Sequence, residues 1–506
     1  MKILKYIVLA LVLTTGFYGC TDLNEEPVGI LAPEGFFKTK RDVQAAVLAF
    51  NGTLANENLY GRQYLSALLF RDDMCDLAVA NADRGFVNDF NGLNSNNSMM
   101  RLMWNQFYVA IAAANTAEAG AISLKLSDED INPLIAESRF NRAFCYYQLV
   151  RCFGDLPYID KPISDPSTVA AILRTPESKV YESIIADLEF AKKWLPNTQP
   201  SDCRSRPTKG TAASYLASVY LTLKDYPKSY TEAKYVIDNK ASFKYELEAD
   251  YQNLFKAVKT VNTIKETIYS IDFLAVIYGG SANGGGNYND DIMAAMMLPK
   301  DYNAGFGSIV PKIAVYNSFN ANDYRKAVSF DTILNGKFYT SWAEKRPHIA
   351  KFTRYPGDAP LARAYRYSDN NYQDMRYAEV LLIAAEALCE VKNGPTTEAE
   401  DYVNLVRIRA RNAAGTSKTY PTVVATGLAK DKFIDLVMEE RRIEFGFEWK
   451  RWFDIKRRDL GDAVFKGANS TEPHATFDKT RDYLFPIPQT TIDVNPNITQ
   501  NPGYSK

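Results

Sequence analysis

The chain has 506 residues, of which 46% are apolar and 24% are charged, a balance typical of a globular protein with a large core. The formal net charge of −1 excludes the basic field that nucleic-acid-binding proteins use, so we expect no nucleic-acid partner. Tyrosine is abundant, with 32 Tyr against 5 Trp, and its apolar ring with a polar tip suits both binding surfaces and packed helices.

The first residues have the pattern of an export signal. A basic start is followed by an apolar run, Tyr6–Leu13, that is too short to span a bilayer. We predict that residues 1–19 are a signal peptide and that the thiol of Cys20, which follows a glycine, receives a lipid. Residues 20–35 would form an acidic tether, so that the acyl chains hold the body at the membrane without burying it there.

The six cysteines do not form a recognisable framework. Cys145 and Cys152 are seven residues apart in an apolar helical pattern, which predicts buried thiols on one face. No CxxC pair occurs, so neither a zinc site nor a redox motif is indicated, and scattered thiols argue against a disulfide scaffold.

The first half of the body is predicted to be helical, with one interruption. Helical patterns run from 40 to 56 and again from Trp104, whereas residues 56–100 mix aromatics with Asn, Asp and Gly and are expected to form loops. Trp104 and Tyr108 share a helical face, and we interpret them as core rather than as a ligand platform.

Small residues precede tyrosines by three positions in two later helices. Pro133 is expected to open a long helix containing Ala143 and Tyr146, and the same pair recurs at Ala217 and Tyr220. The small residue lets a partner helix approach closely, which is typical of tetratricopeptide-type (TPR) helix pairs. The repeats are degenerate, so we predict a TPR-like scaffold.

The helical period weakens in the middle of the chain. Residues 267–273 alternate like a strand, and the glycine-rich residues 279–288 are expected to form a surface loop. A helix is expected over 310–325.

Helical patterns return near the C-terminus, over 372–391, 397–412 and 428–456. Charged residues in the last of these helices have spacings that let opposite charges meet, so we interpret them as structural ion pairs. These residues are Glu440, Arg441, Glu444 and Arg451.

The chain ends in a proline-rich segment. Three of its segments are apolar and rich in proline: Leu484–Pro488, Asn495-Pro496 and Gln500–Tyr504. Proline removes an amide donor and restricts φ. We expect an extended, non-helical tail that docks onto the body.

Several of these segments, taken in order, resemble the signature of the SusD-like (RagB/SusD) family, the surface nutrient-binding lipoproteins of Bacteroidetes. Each segment alone is weak, but their order along nearly the whole chain is specific. The segments are Phe153–Pro157, Arg376–Ala387, Val403–Ala410, Glu439–Phe445, Phe485–Pro488 and Gln500–Tyr504.

The resemblance implies a mostly α fold, with a TPR-like helix-turn-helix scaffold and a loop-rich, partly β ligand-binding region. We expect one SusD-like domain over 36–506, made of TPR-like helices with an early loop insertion (36–245), a loop-rich region (246–370) and C-terminal helices with the docking tail (371–506). The resemblance also implies a lipid-anchored, cell-surface protein of the outer membrane. Such a protein captures an oligosaccharide or polysaccharide and delivers it to a SusC-like TonB-dependent transporter.

No sequence motif marks the ligand site, so its candidate residues come from composition and loop placement. Sugar rings stack their C–H faces on flat aromatics, while hydroxyls bind Asn, Asp and Arg. Trp342, in a polar and irregular setting, is the best single candidate. The full candidate set is Trp342, Tyr288, Tyr278, Tyr302, Phe306, Phe86, Asn88, Phe90, Asn91, Arg71 and Asp72.

Catalysis is not indicated by the sequence. There are two histidines, and neither HExxH nor GxSxG is present. We therefore expect no enzyme activity, no cofactor and no metal. Two alternatives to glycan capture stay open: peptide capture for a RagA-like transporter, and a role mainly as an interaction protein that forms the transporter's lid.

Overall fold

The computed structural model describes residues 36–256, 264–273, 291–300, 302, 305–355, 368–413, 415–468, 470 and 473–505. The predicted signal peptide, Cys20 and the tether therefore lie outside the described residues. So do two of the predicted ligand contacts, Tyr278 and Tyr288.

A continuous row of helices forms the first half of the fold. The helices up to residue 243 are α1 Lys40–Leu54, α2 Gln63–Arg71, α3 Ala82–Asn88, α4 Ser98–Ser123, α5 Asp128–Phe153, α6 Glu177–Trp194, α7 Lys209–Thr222, α8 Tyr226–Asp238 and α9 Lys240–Phe243. Helix α1 packs on α4, and α4 through α8 each pack on the next helix in the chain. This arrangement confirms the TPR-like scaffold.

The long helix α5 begins earlier than the sequence predicts. It starts at Asp128, and Pro133 lies inside its second turn rather than opening it. Three acidic residues in the first turn favour this start, because they interact well with the positive end of the helix dipole. The helix ends at Gly154, whose φ of +69° favours glycine. Cys145 and Cys152 are buried free thiols, as predicted.

The segment 56–100 is more ordered than the expected loop. It contains α2, α3 and the short strand β1, Cys75–Leu77. Every residue of α2 is buried, so this helix has no polar face to mark its period in the sequence.

The middle region contains short elements. Its helices are α10 Met293–Met297, α11 Ile313–Ser318 and α12 Tyr324–Ser329, and it contains the 3-10 turns Tyr251–Phe255 and Tyr339–Ser341. Two further 3-10 turns, Pro166–Ala171 and Pro200–Asp202, lie in the first half of the chain. The remaining strands are β2 Thr267–Ile271, β3 Ile309–Pro311, β4 Phe330–Asp331, β5 Ile333–Leu334, β6 Lys337–Phe338, β7 His348–Ile349, β8 Tyr372–Arg376, β9 Asn412–Ala413 and β10 Thr416–Ser417. The single helix expected over 310–325 is wrong, because β3 and two short helices occupy that region.

The antiparallel pair β2 and β8 connects the middle region to the C-terminal helices. Strand β2 was predicted, but β8 was expected to be the first turn of a helix. That helix, α13 Tyr377–Lys392, begins only after the strand. All five residues of β8 are buried. Its sequence therefore lacks the alternation of apolar and polar residues that would distinguish a strand from a buried helix.

The C-terminal helices extend the row. They are α14 Thr397–Arg409, α15 Lys430–Glu444, α16 Arg451–Arg457, α17 Gly461–Phe465, α18 Lys479–Asp482 and α19 Gln489–Val494. Helix α13 packs on α8 from the first half and on α14 and α15. The helix predicted over 428–456 is divided into α15 and α16, since Phe447 and Trp449 have positive φ between them.

The tail docks onto α5, as predicted. The amide of Phe485 donates to the carbonyl of Cys152 at 2.7 Å. The Asn501 side chain donates to the carbonyls of Phe153 at 2.9 Å and Phe485 at 2.7 Å. The tail is not extended throughout, because α19 is a short helical turn within it. Its apolar side chains join the same core cluster as helices α1 to α8.

Candidate functional site

Two distant loop regions meet at one surface. Strands β1 and β3 pair antiparallel, with Asp76 opposite Val310. Beyond this pair the amide of Ala78 donates to the carbonyl of Ser308 at 3.1 Å. Sequence analysis placed candidate ligand contacts in both regions. We call the described residues of 57–62, 76–91, 302–309 and 342–348 the loop face.

The segment 291–300 lies beneath the loop face and connects its parts. The amide of Ile292 donates to the carbonyl of Gly61 at 3.0 Å, and the amide of Phe306 donates to the carbonyl of Ala295 at 2.7 Å. Gly307 has a φ of +58°, and a Cβ there would lie 2.0 Å from a carboxylate oxygen of Glu344. The close approach of these chains therefore requires glycine at position 307.

Residues 371 and 372 join the segment 291–300 to the end of the β2 strand region. The amide of Phe273 donates to Asn371 Oδ1 at 3.0 Å, and the hydroxyl of Tyr372 donates to the carboxylate of Asp291. The rings of Phe273 and Tyr372 are 5.1 Å apart.

Charged side chains of the loop face occur mainly in pairs. Arg62 pairs with Glu57, and Arg346 Nη1 lies 3.2 Å from Asp76 Oδ2. Asn88 also donates to Asp76, at 3.1 Å.

The third pair joins Glu344 and His348, whose closest oxygen and nitrogen are 3.5 Å apart. Burial acts to raise the pKa of Glu344, but the hydrogen bond with His348 and those from backbone amides bring this pKa below its ordinary value.

Arg84 also lies on the loop face and is not in an ion pair. Its guanidinium has no ion-pair or hydrogen-bond partner in the part of the chain that the structure describes. Its pKa is lowered by burial and then by the charge of Arg62, which together outweigh the opposite charge of Glu57. Sequence reasoning missed Arg84, because a single arginine in a polar segment carries no motif.

Trp342, the best sequence candidate, is not a surface platform. Its side chain is buried, with 3% of the residue exposed, and its Nε1 donates to the carbonyl of Lys337 at 3.2 Å. Its ring packs 5.4 Å from that of His348. A ring in this position presents no face to a sugar, so the structure corrects the expectation of an exposed stacking surface.

Arg71, Asp72 and Phe90 are also interior residues. The guanidinium carbon of Arg71 lies 4.4 Å from the centre of the Phe90 ring, and Arg71 lies 3.7 Å from Asp482 of α18. Asp72 accepts hydrogen bonds from the amides of Met74 at 2.8 Å and Cys75 at 3.0 Å. These contacts give all three residues a structural role, contrary to the expected surface position.

The remaining described candidates lie on the loop face. Asn91 is exposed, Phe86, Tyr302 and Phe306 are half-buried, and Asn88 is buried at 6% exposure. The ring of Phe86 covers Gly92, where a Cβ would lie 2.8 Å from it. Ligand contact by these five residues stays a prediction.

Comparison with known proteins gives the family. A family model described as "SusD family" matches residues 335–504, and one described as "Starch-binding associating with outer membrane" matches residues 37–221. "SusD-like protein P2" of Formosa agariphila is 44% identical over 519 aligned positions, covering 99% of this chain and all of the relative. The chain belongs to the SusD-like family.

Solved SusD structures share the fold. A SusD homologue of Bacteroides thetaiotaomicron superposes with a TM-score of 0.78 at 21% identity, covering 93% of this chain and 98% of the other. A structure described as a laminarin-binding SusD-like protein gives a TM-score of 0.74 at 22% identity, and the match covers 92% of this chain and 100% of the other. Within the described ranges, no helix is both long enough and apolar enough to cross a bilayer.

The charged residues of the SusD signature form a buried ion-pair network, as interpreted from sequence. Arg376 contacts Glu266, Glu444 and Glu448, and it is 1% exposed. Burial acts to raise the pKa of Glu444, yet neighbouring arginines lower it to about 2. Glu440 pairs with Arg325 and Arg407. Arg441 pairs with Asp454 and Glu379, and Arg451 pairs with Asp73. These partners come from distant segments rather than from one helix.

A separate groove of about 620 Å³ lies beside α4. Its walls are largely apolar and come from α4, residues 157–172 and the tail. Trp104 is 4% exposed and belongs to the core, as interpreted from sequence. Tyr108 is half-buried and lines the groove, and its hydroxyl donates to the carbonyl of Pro157 at 2.7 Å.

Proposed function

We propose that this SusD-like chain captures an oligosaccharide or polysaccharide at its loop face and delivers it to a SusC-like TonB-dependent transporter. The protein would act at the cell surface, anchored in the outer membrane through a lipid on Cys20. In this proposal it binds its ligand and does not transform it.

The convergence of the loop regions at the β1–β3 pair is the main support. It brings half-buried aromatics, Phe86, Tyr302 and Phe306, to the same surface as the polar side chains of Asn88 and Asn91. Aromatic faces with a few convergent polar groups are the chemistry that recognises sugar rings.

The comparisons add support of a different kind. One family model that matches the chain is described as starch-binding and associated with the outer membrane. One solved structure of the same fold is described as laminarin-binding. We extend carbohydrate binding from these proteins to this chain as a proposal.

Calorimetry with a panel of glycans and peptides tests ligand capture. We expect heat with at least one polysaccharide, and weaker binding in Tyr302→Ala and Asn91→Ala. Asn497→Ala, which truncates an exposed asparagine of the tail, is the matched control and is expected to bind normally. Trp342→Ala is expected to lower the melting temperature, because it removes a buried ring.

The panel also separates the alternatives. Heat with peptides alone would contradict glycan capture and favour peptide uptake. Heat with no ligand would contradict capture at the loop face and leave a role mainly as the lid of the transporter.

Delivery is tested by co-purification. The full chain, tagged and co-expressed with the TonB-dependent transporters of its host, is expected to form a stable complex with one of them. If none co-purifies with it, the delivery half of the proposal fails even where glycan binding holds.

A further inference from the structure

The groove beside α4 ends one helical turn from the place where the described chain joins the body. The ring of Phe37 lies over Gly120, where a Cβ would be only 2.5 Å from that ring. Phe37 also packs against the small core cluster that contains Ala117. Thr116 lines the groove and lies one turn before Gly120 on the same side of α4, about 6 Å away along the axis. Residues 1–35 therefore meet the body close to this end of the groove.

The walls of the groove are apolar and partly open to solvent. Lys161 is the one charged side chain among the described residues that line it. Two of its aliphatic side chains are well exposed, Val494 at 63% and Ile163 at 39%. An apolar groove with exposed aliphatic side chains is typical of an interaction site.

One stretch of the preceding chain has the composition to fill this groove. Pro27–Pro33, with the sequence PVGILAP, contains no charged residue, whereas Asp22, Glu25 and Glu26 make the residues before it acidic. A proline at each end favours extended backbone and removes an amide donor that the groove would otherwise have to satisfy. Burial of the large aliphatic side chains between the prolines is favourable, because it removes apolar surface from water.

The length of this stretch matches the groove. The residues of α4 that line it run from Trp104 to Thr116, which is about 18 Å along the helix axis. From Gly120, where the chain meets the body, to Trp104 is about 24 Å. Eight extended residues, 28–35, span about 26 Å. The chain that leads back from Phe36 is therefore long enough to pass the whole groove, with the acidic residues beyond its far end.

We propose that residues 27–33 of this chain dock in the groove beside α4. The side chains of Val28, Ile30 and Leu31 pack on its apolar walls. Asn105 and Thr490, which also line the groove, supply polar partners for the extended backbone.

This docking shortens the connection between the body and the membrane. The consequence rests on the lipid anchor at Cys20 proposed above, whereas the docking itself does not. Without docking, the sixteen residues 20–35 separate the lipid from the body and reach at most about 53 Å. With residues 27–33 docked, only the seven residues 20–26 remain, and they reach about 23 Å. The groove side of the body is then held close to the outer membrane.

Photo-crosslinking of the full chain in the outer membrane of its host tests the docking. The photoreactive amino acid p-benzoylphenylalanine replaces Leu31 in one variant and Asn24 in another. Leu31 lies in the proposed segment, while Asn24 lies in the acidic part of the tether and is the control. After irradiation the tagged chain is purified, and the crosslinked peptides are identified by mass spectrometry.

Substitution of two exposed valines gives a matched comparison in the chain that carries the crosslinker at position 31. Val494→Asp places a charge in the groove, and Val423→Asp places the same charge at a position that does not line it. The two valines are 63% and 54% exposed, so we expect both variants to keep the melting temperature of the parent chain.

We expect position 31 to crosslink to residues 104–116 or 490–498, with a yield at least fivefold higher than that from position 24. Val494→Asp is expected to reduce this yield at least fivefold, because it places a carboxylate among apolar side chains. Val423→Asp is expected to leave the yield unchanged.

Four results would overturn the inference. Position 31 might crosslink to another part of the body, to another protein or a second copy, or to nothing, and the two aspartate variants might reduce the yield equally. The mass of the N-terminal peptide shows separately whether Cys20 carries a lipid. Failure of the proposed anchor is therefore distinguished from failure of the docking.

Discussion

The buried arginines of the SusD signature neutralise a group of glutamates that water does not reach. Arg376, at 1% exposure, contacts Glu266 at 2.5 Å and Glu444 at 3.0 Å. Removal of one partner from a buried ion-pair network leaves charge that nothing compensates, at a cost of about 3–5 kcal/mol. We therefore expect Arg376→Met, which keeps most of the side-chain volume, to lower the free energy of unfolding by about that amount in urea titrations.

The control for this prediction is an exposed ion pair. Lys179 and Glu182 are more than 60% exposed, and such pairs contribute about 0–1 kcal/mol. Lys179→Met should therefore change the free energy of unfolding by less than about 1 kcal/mol. If the two variants lose similar stability, the buried network does not have the role described.

Asp72 gives a prediction about pH. Burial, with the nearby charge of Asp73, raises the pKa of Asp72 from 3.8 to about 7. The folded state therefore binds more protons than the unfolded state between these values, so this group's contribution to stability falls as pH rises from about 4 to 7. Asp72→Asn keeps an oxygen for the amides of Met74 and Cys75, and we expect it to stabilise the protein at pH 8 by about 1–3 kcal/mol.

The comparison across pH is decisive for Asp72. At pH 4 the wild-type carboxyl is already mostly protonated, so the variant should have little effect there. Denaturation of both proteins at pH 4 and pH 8 measures the difference. If Asp72→Asn destabilises the protein equally at pH 4 and pH 8, the fold stabilises the ionised carboxylate and the prediction is wrong.

At the residue scale, the sequence predicts the role of a side chain better than it predicts which residues that side chain contacts. The ion-pair role of Glu440, Arg441, Glu444 and Arg451 was inferred from the spacing of opposite charges along a helix. Their partners lie elsewhere, since Arg325 and Arg376 contact Glu444 from positions far away in the chain. Trp342 was misplaced for the same reason. Its neighbours in sequence are polar, and only the folded chain shows that the carbonyl of Lys337 satisfies its indole.

At the scale of elements, the tail is held to α5 by few polar contacts. Asn501 is 2% exposed, and its amide satisfies the carbonyls of Phe153 and Phe485. Asn501→Ala would leave both carbonyls without these donors, at a cost of about 1–3 kcal/mol. We expect a lower melting temperature and faster proteolysis of the tail.

Asn497→Ala is the matched variant for this tail contact. Asn497 is exposed, and exposed substitutions usually change stability by about 0.5 kcal/mol or less. Proteolysis of both variants, followed by mass spectrometry, shows whether cleavage begins in residues 484–505. A tail that resists cleavage equally in both variants would contradict the role of Asn501.

The elements also show where sequence patterns fail. Amphipathic helices such as α1 and α6 were predicted because their polar faces mark the period of 3.6 residues. Helix α2 and strand β8 are buried on all sides, so their sequences carry no such period. The pairing of β1 with β3 joins residues more than 200 positions apart, and this contact, which builds the loop face, has no local signal.

At the scale of the whole molecule, the first half of the fold depends on the second. Buried side chains from Phe50 to Ile498 belong to one core cluster, which includes helices of both halves and the tail. Phe153 at the end of α5 contacts Phe485, with ring centres 5.9 Å apart, and the hydroxyls of Tyr60 and Tyr215 both bind Asp374. Removal of residues 246–506 would expose these apolar surfaces and remove the partner of both tyrosines.

We therefore expect a fragment of residues 36–245 not to fold cooperatively, although it contains the helices of the TPR-like row. Exposed apolar surface costs about 25 cal/mol per Å², which is large against the few kcal/mol by which domains are stable. Thermal unfolding followed by circular dichroism should show a broad transition without a plateau, whereas the full chain should unfold in one steep step. A steep transition in the fragment would mean that helix-to-helix contacts within the row are sufficient, as in repeat proteins whose stability is a sum over neighbours.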